Sequence, residues 1–158
     1  NNDDKAIKAD LYLWKKNTLI HSLKALWLFL KKRDYEGAME EFKKLLDKDN
    51  KNPHLYNNIG LCYSHLGQTT MAEEYFKKAL FIDDKMVETY INLADIYYKE
   101  NRLWDAIDLL QGAIALVSDN AALRHYLARI YIEDKRYDGG YTELKELINS
   151  GKLNDYLN

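Results

Sequence analysis

Hydrophobic positions recur along this chain at a fixed interval of 34 residues, starting at Leu19. Three sets of positions keep the same character in four successive segments. They are Phe29, Tyr63, Tyr97 and Tyr131; Ala38, Ala72, Ala106 and Gly140; and Phe42, Phe76, Leu110 and Leu144. A period of this length, held without an insertion, indicates one supersecondary unit that stacks on copies of itself, because a single unit cannot bury its own apolar face.

Each unit is predicted to be a helical hairpin. In segment 53–86, apolar residues fall three and four apart both before and after Gly67, which is the spacing of two amphipathic helices. Gly67 can adopt the left-handed conformation that ends a helix. Asn52 before Pro53 predicts the start of the first helix, and Thr70 with Glu73 predicts a capping box at the start of the second.

The pattern of large and small residues resembles the tetratricopeptide repeat (TPR) family. The two central segments match it most fully, with Tyr56, Ile59, Gly60, Tyr63, Ala72, Phe76 and Ala79 in one, and Tyr90, Leu93, Ala94, Tyr97, Ala106, Leu110 and Ala113 in the other. The resemblance implies an all-α fold, a right-handed solenoid of about four TPR helical hairpins plus an N-terminal helical segment.

The period predicts a single solenoid domain over 1–158, with repeats at 19–52, 53–86, 87–120 and 121–154. Residues 1–18 are expected to form a helical extension, in which Leu11, Leu13 and Trp14 belong either to an earlier hairpin or to one long helix running through Leu30. Residues 153–158 restart the period in phase. We expect that end of the chain to fray, to dimerise or to continue into further sequence.

Composition and charge narrow the classes of partner. The net charge is −2 and the Lys and Arg residues are spread through all units, which argues against nucleic acid as a ligand. The most apolar run, from Thr18 to Leu30, contains His21 and Lys24 and is shorter than the roughly 20 residues that cross a bilayer. We therefore expect no membrane insertion. Cys62 is expected to be a small buried residue.

The family resemblance implies that the first helices of the repeats line a concave groove that binds extended peptides. The candidate partner-binding residues in this groove are Lys24, Trp27, His54, Asn58, Leu61, Asn92, Asp95, Tyr126 and Arg129, and the neighbouring Asn57 is assigned to the same face. Asn58 and Asn92 occupy the same position in successive units, and an amide both donates to and accepts from an extended backbone. The alternative is that asparagine is simply common at this site in the family.

Leu23, Trp27, Leu30 and Leu61 are expected to form an exposed apolar patch at the start of the groove. A partner side chain, residues 11–14 or an upstream repeat could cover it.

Family members that clamp a C-terminal carboxylate carry a cationic pair in the third of three successive units. Neither register of this chain provides that pair, so a free carboxylate terminus is not expected as the ligand.

No catalytic residue, metal site or cofactor site is predicted. His54 and His65 are eleven residues apart on one helix, about 16 Å along its axis, so they cannot share one metal ion. The sequence reveals no serine, cysteine or carboxylate in a triad-like arrangement with a histidine, and it contains no glycine-rich phosphate loop. The predicted function is a protein-protein interaction module that binds an extended or helical segment of a partner protein in the concave groove. The alternatives are a scaffold that self-associates through exposed ends, or a non-catalytic arm of a larger multi-protein or secretion complex.

Overall fold

The computed structural model describes residues 18–117 and 120–151. Residues 18–27 are α-helical and continue into a π-helical turn, Leu28–Lys32, and together they form α1. The remaining helices are α2 (Tyr35–Leu46), α3 (Pro53–His65), α4 (Thr69–Ile82), α5 (Val87–Lys99), α6 (Leu103–Leu116), α7 (Ala121–Glu133) and α8 (Tyr137–Asn149). The described ranges contain no strand, and the all-α prediction is confirmed. Of the predicted extension over 1–18, all but residue 18 lies outside the described residues.

The helices form hairpins that stack in chain order. Each helix packs against the next one, and α5 also contacts both α3 and α7. The first helices of successive hairpins therefore touch one another and form one layer of the solenoid, with the second helices behind them. The start residues Pro53, Val87 and Ala121 follow the 34-residue period, while the predicted repeat boundaries and the single domain stay predictions.

One continuous core runs between the two layers of helices. Its fully buried members include Phe76, Leu93, Leu110 and Leu127. Small residues let the helices approach: a Cβ added to Gly60 on α3 would lie 2.7 Å from the Phe76 ring on α4. The predicted burial of Cys62 is confirmed, and this burial raises the pKa of the thiol to about 12.

The two predicted helix starts in the second hairpin have different outcomes. The Asn52 side chain accepts a hydrogen bond from the His54 backbone N–H at 3.1 Å, so this cap is confirmed. The capping box is wrong, because α4 begins at Thr69 and its N-cap residue makes no side-chain hydrogen bond. Glu73 instead accepts hydrogen bonds from Lys77, Tyr97 and Arg102. Two of these donors, Tyr97 and Arg102, belong to the next hairpin, so charge-assisted hydrogen bonds hold the Glu73 carboxylate against that hairpin and not at its own helix end.

One residue in the turn after each first helix adopts a left-handed conformation. Arg33, Gly67, Asn101 and Lys135 have φ values of 54°, 73°, 60° and 60° and share one position in the period. After α3, the N–H of Gln68 donates to the carbonyl oxygen of Tyr63 at 2.9 Å, which completes the helix ending seen in Schellman motifs. The prediction for Gly67 is confirmed. The equivalent positions in the other three hairpins hold non-glycine residues in a backbone conformation that favours glycine.

Gly67 and Gly112 provide a matched test of this conformation. An added Cβ would meet nothing within 4 Å at either position, but only Gly67 has a positive φ. We expect Gly67→Ala to lower the free energy of unfolding by about 1 kcal/mol, since alanine is strained there. Gly112→Ala, inside α6, should raise it by about the same amount through helix propensity. Urea denaturation followed by circular dichroism measures both, and equal effects of the two substitutions would contradict the assignment.

Candidate functional site

Two adjoining pockets lie between the first helices of the first three hairpins. The apolar pocket, about 210 Å³ in volume, is lined by Leu26, Phe29, Leu30, Phe42, Asn58 and Leu61. The polar pocket, about 230 Å³, is lined by Leu61, Ser64, His65, Phe76, Asn92, Asp95 and Lys99. Leu61 belongs to both. Phe42 and Asn58 in one correspond by the period to Phe76 and Asn92 in the other, so these are equivalent sites in successive repeats with different chemistry.

The apolar pocket lies at the π-helical turn of α1. This turn contains Phe29 and Leu30, and Leu30 remains 67% exposed. Asn58 supplies the only amide side chain of the lining, and it has no hydrogen-bond partner among the described residues. Single π-helical turns within α-helices occur frequently at functional sites. The pocket therefore combines carbon-lined walls with one amide that makes no hydrogen bond to the described residues and is partly exposed.

Trp27 precedes this turn on α1 and is 50% exposed. The ammonium of Lys32 lies 5.2 Å from its ring centroid. Leu23 is also more than half exposed, whereas Leu61 is half-buried. The described residues therefore leave much of the predicted apolar patch accessible, and its proposed cover by residues 11–14 lies outside the described residues.

In the polar pocket, Asn92 is hydrogen-bonded to the buried side-chain amide of Asn57. Its Nδ2 donates to Oδ1 of Asn57 at 3.1 Å, and the Thr89 hydroxyl donates to the same oxygen at 3.0 Å. Asn57 is only 3% exposed, so its assignment to the accessible face of the groove is wrong. It links two hairpins instead. The alternation of apolar residues on α3 could not reveal this role, because both hydrogen-bond donors come from α5.

His65 and Lys99 give the polar pocket its electrostatic character. The His65 ring stacks on Tyr35 with centroids 4.5 Å apart. Burial, together with the charges of Lys99 and Arg33, lowers the pKa of His65 below its ordinary value of 6.5. His65 is therefore neutral at neutral pH. Lys99 binds the Asp95 carboxylate at 2.6 Å.

Farther along the same layer, Arg129 stacks on aromatic rings. Its guanidinium carbon lies 4.1 Å from the Tyr126 centroid and 5.8 Å from that of Tyr98. The Tyr98 hydroxyl donates a hydrogen bond to Glu133. These contacts join α5 to α7. They place Tyr126 and Arg129 together, and neither residue lines the apolar or the polar pocket.

Lys24 and His54 make contacts within the chain. Lys24 binds Oε1 of Glu41 at 2.7 Å, and Glu41 also receives contacts from His21 and Lys44. Burial alone would raise the pKa of the nearly buried Glu41, but the hydrogen bonds from Lys24, Lys44 and His21 outweigh it and lower the pKa to about 2. His54 is exposed at the start of α3, and its Nδ1 lies 3.5 Å from a carboxylate oxygen of Glu88.

The structure thus brings four of the nine predicted site residues together around the pockets: Asn58, Leu61, Asn92 and Asp95. Within the described part of the chain, no group of three or more His, Cys, Asp or Glu side chains is arranged to hold a metal ion. No helix among the same residues has both the length and the apolar character that spanning a membrane requires.

Comparison with known proteins gives a consistent family assignment. Models of the tetratricopeptide repeat match residues 53–86 and 103–156, which together exceed half of the chain. The uncharacterized protein ycf37 of Cyanophora paradoxa is 32% identical over 107 residues, covering 65% of this chain and 62% of that protein. The chain thus spans less than two thirds of the length of this curated relative.

Solved structures with a similar fold include two that cover most of this chain. The crystal structure of MamA superimposes with a TM-score of 0.68 at 27% identity, covering 85% of this chain and 73% of MamA. The first TPR domain of Spaghetti (RPAP3), bound to an HSP90 peptide, has a TM-score of 0.64 at 21% identity and covers 75% of this chain and 95% of that one. TPR domains are protein-protein interaction modules and are generally non-catalytic. The residue pattern, the stacked hairpins and these matches show that the chain belongs to the tetratricopeptide repeat family.

Proposed function

We propose that the groove formed by the first helices binds an extended segment of a partner protein. The observation that carries this proposal is the pair of adjoining pockets, which hold Asn58 and Asn92 at corresponding positions and share Leu61. Equivalent sites in successive repeats suit a ligand that runs along the groove and contacts each in turn.

The availability of the Asn58 side-chain amide for hydrogen bonding favours an extended ligand. An extended segment has free backbone N–H and C=O groups, whereas a helix satisfies most of its own. Asn58 has no hydrogen-bond partner among the described residues and can bond to such a backbone. The similar folds of two RPAP3 domains hold peptides of HSP90 and HSP70, which supports this mode of binding.

Substitutions at Asn58 and Leu61 test the groove. We expect Asn58→Ala and Leu61→Lys to reduce recovery of bound proteins in affinity purification with quantitative mass spectrometry, with the larger loss for Leu61→Lys because it places a charge between both pockets. Asn92→Ala is a poorer test, because it also removes a hydrogen bond from the buried Asn57.

Phe81→Ser is the matched control, since Phe81 is 93% exposed and lines neither pocket. Equal recovery of bound proteins by the groove variants and by this control would contradict the proposal.

The second candidate function is self-association, which the exposed Leu19, Leu23 and Leu30 on α1 favour. Light scattering across a dilution series separates the two, because a groove binder without its ligand stays at one mass.

A further inference from the structure

We infer that the bound segment carries a bulky apolar side chain and, three residues away, a carboxylate side chain, which occupy the apolar and the polar pocket respectively. This inference rests on the proposed function and adds the chemistry of the ligand. It excludes a free C-terminal carboxylate as a requirement, because both groups belong to side chains within the segment.

The apolar pocket fits one bulky apolar side chain. An apolar cavity of about 150 Å³ holds a benzene molecule, and this pocket measures about 210 Å³. Five of its six lining side chains are hydrocarbon, so a polar side chain would lose hydrogen bonds with water and gain few in return. The Asn58 amide is available to the backbone next to the inserted side chain.

The polar pocket complements a negative charge. Ser64, Asn92 and the neutral His65 carry hydrogen-bond donors, and Lys99 adds an ammonium group. Asp95 is the one acidic side chain in the lining, and it is already paired with Lys99. The positive charge of Arg33 also acts on His65. The charges of Lys99 and Asp95 in the lining balance, so Arg33, which lies outside the lining, supplies the one positive charge in excess at this site. This charge and the hydrogen-bond donors of the lining favour a carboxylate over an ammonium ligand.

The spacing follows from the repeat geometry. Packed helices lie about 8–10 Å apart, so equivalent sites on α3 and α5 are separated by about that distance. A polyproline II segment rises about 3.1 Å per residue with three residues per turn, so residues three apart point in the same direction and lie about 9 Å from each other. A helical ligand would leave the Asn58 amide without a backbone partner.

A display selection with random dodecapeptides tests the inference on the full chain. The targets are the wild type, Leu30→Ser in the apolar pocket, and Lys99→Glu in the polar pocket. Phe81→Ser and Lys78→Glu are matched controls. Phe81 is an exposed apolar residue outside both pockets, and Lys78 binds Glu74 four residues earlier, as Lys99 binds Asp95. Circular dichroism establishes that each variant is folded.

We expect the wild type and both controls to enrich peptides with an apolar residue three positions from Asp or Glu. Leu30→Ser should lose the apolar preference, and Lys99→Glu should exchange the acidic preference for a basic one. In fluorescence anisotropy, replacing the peptide carboxylate by its amide should weaken binding to the wild type by about tenfold and leave binding to Lys99→Glu unweakened.

Three results would overturn the inference: no enrichment, a different motif or spacing, or a motif that neither pocket variant changes. Leu61→Lys distinguishes these failures from failure of the proposed function. Peptides of another pattern that bind the wild type but not Leu61→Lys overturn the ligand chemistry alone. Peptides that bind Leu61→Lys as well as the wild type overturn the groove itself.

Discussion

Phe76→Ala is expected to lower the free energy of unfolding by about 3–5 kcal/mol, the largest effect of any substitution considered. Phe76 lies on α4 and is fully buried. Its ring packs against α3, where it fills the space that the absent Cβ of Gly60 leaves open. Alanine leaves a cavity there that the packed helices can close only in part. Because small domains are stable by about 5–15 kcal/mol, the loss is a large part of the total.

Phe81→Ala is the control for Phe76→Ala, since both residues lie on α4 and Phe81 is exposed to solvent. The control should change the stability by less than about 0.5 kcal/mol. Urea denaturation followed by far-UV circular dichroism measures both variants. Similar midpoints for the two would show that the core does not run through Phe76.

Glu41→Gln is expected to lower the free energy of unfolding at neutral pH by about 1.5–3 kcal/mol, because it removes charge-assisted hydrogen bonds from Lys24 and Lys44. It should also change the response to acid. Folding lowers the pKa of Glu41 from 4.5 to about 2. A carboxyl group whose pKa is lower in the folded state contributes its stabilisation above the unfolded value, and this contribution is lost as the pH falls from about 4.5 towards 2.

The wild type should therefore lose more stability than Glu41→Gln across that pH window. Glu73, whose pKa is also lowered to about 2, leaves a residual pH dependence in the variant. Glu74→Gln serves as the control, because Glu74 forms an exposed pair with Lys78 and should contribute less than about 1 kcal/mol. Parallel stability curves for the wild type and Glu41→Gln between neutral pH and pH 3 would contradict the assignment.

The predicted groove residues show how far pattern analysis extends. The period placed Asn58 and Asn92 on corresponding turns of α3 and α5, and the structure brings both to equivalent pockets. It could not distinguish Asn57 from its neighbour Asn58, since adjacent residues on a helix differ by only about 100° in direction. The packing of α5 decides that one amide is buried while the other is accessible.

Glu41 and Glu73 illustrate a second limit. Both lie in helices rich in charged residues, which typically form a solvated surface. Lys77 pairs with Glu73 and Lys78 with Glu74 four residues apart on the same helix, each at 2.6 Å. However, Glu73 also bonds to Arg102, and Glu41 bonds to Lys24, which are 29 and 17 residues away in the chain. Sequence spacing reports only partners on the same helix.

The sequence by itself determined the all-α class, the succession of hairpins and most of the core positions, because these depend on local helical periodicity repeated along the chain. The tertiary structure decided which side chains remain accessible and how the pockets differ. Those properties depend on contacts between hairpins and on the π-helical turn at Leu28–Lys32, which the 34-residue period does not encode. Local spacing fixes which residues share a helix face, and only packing between helices fixes what each face meets.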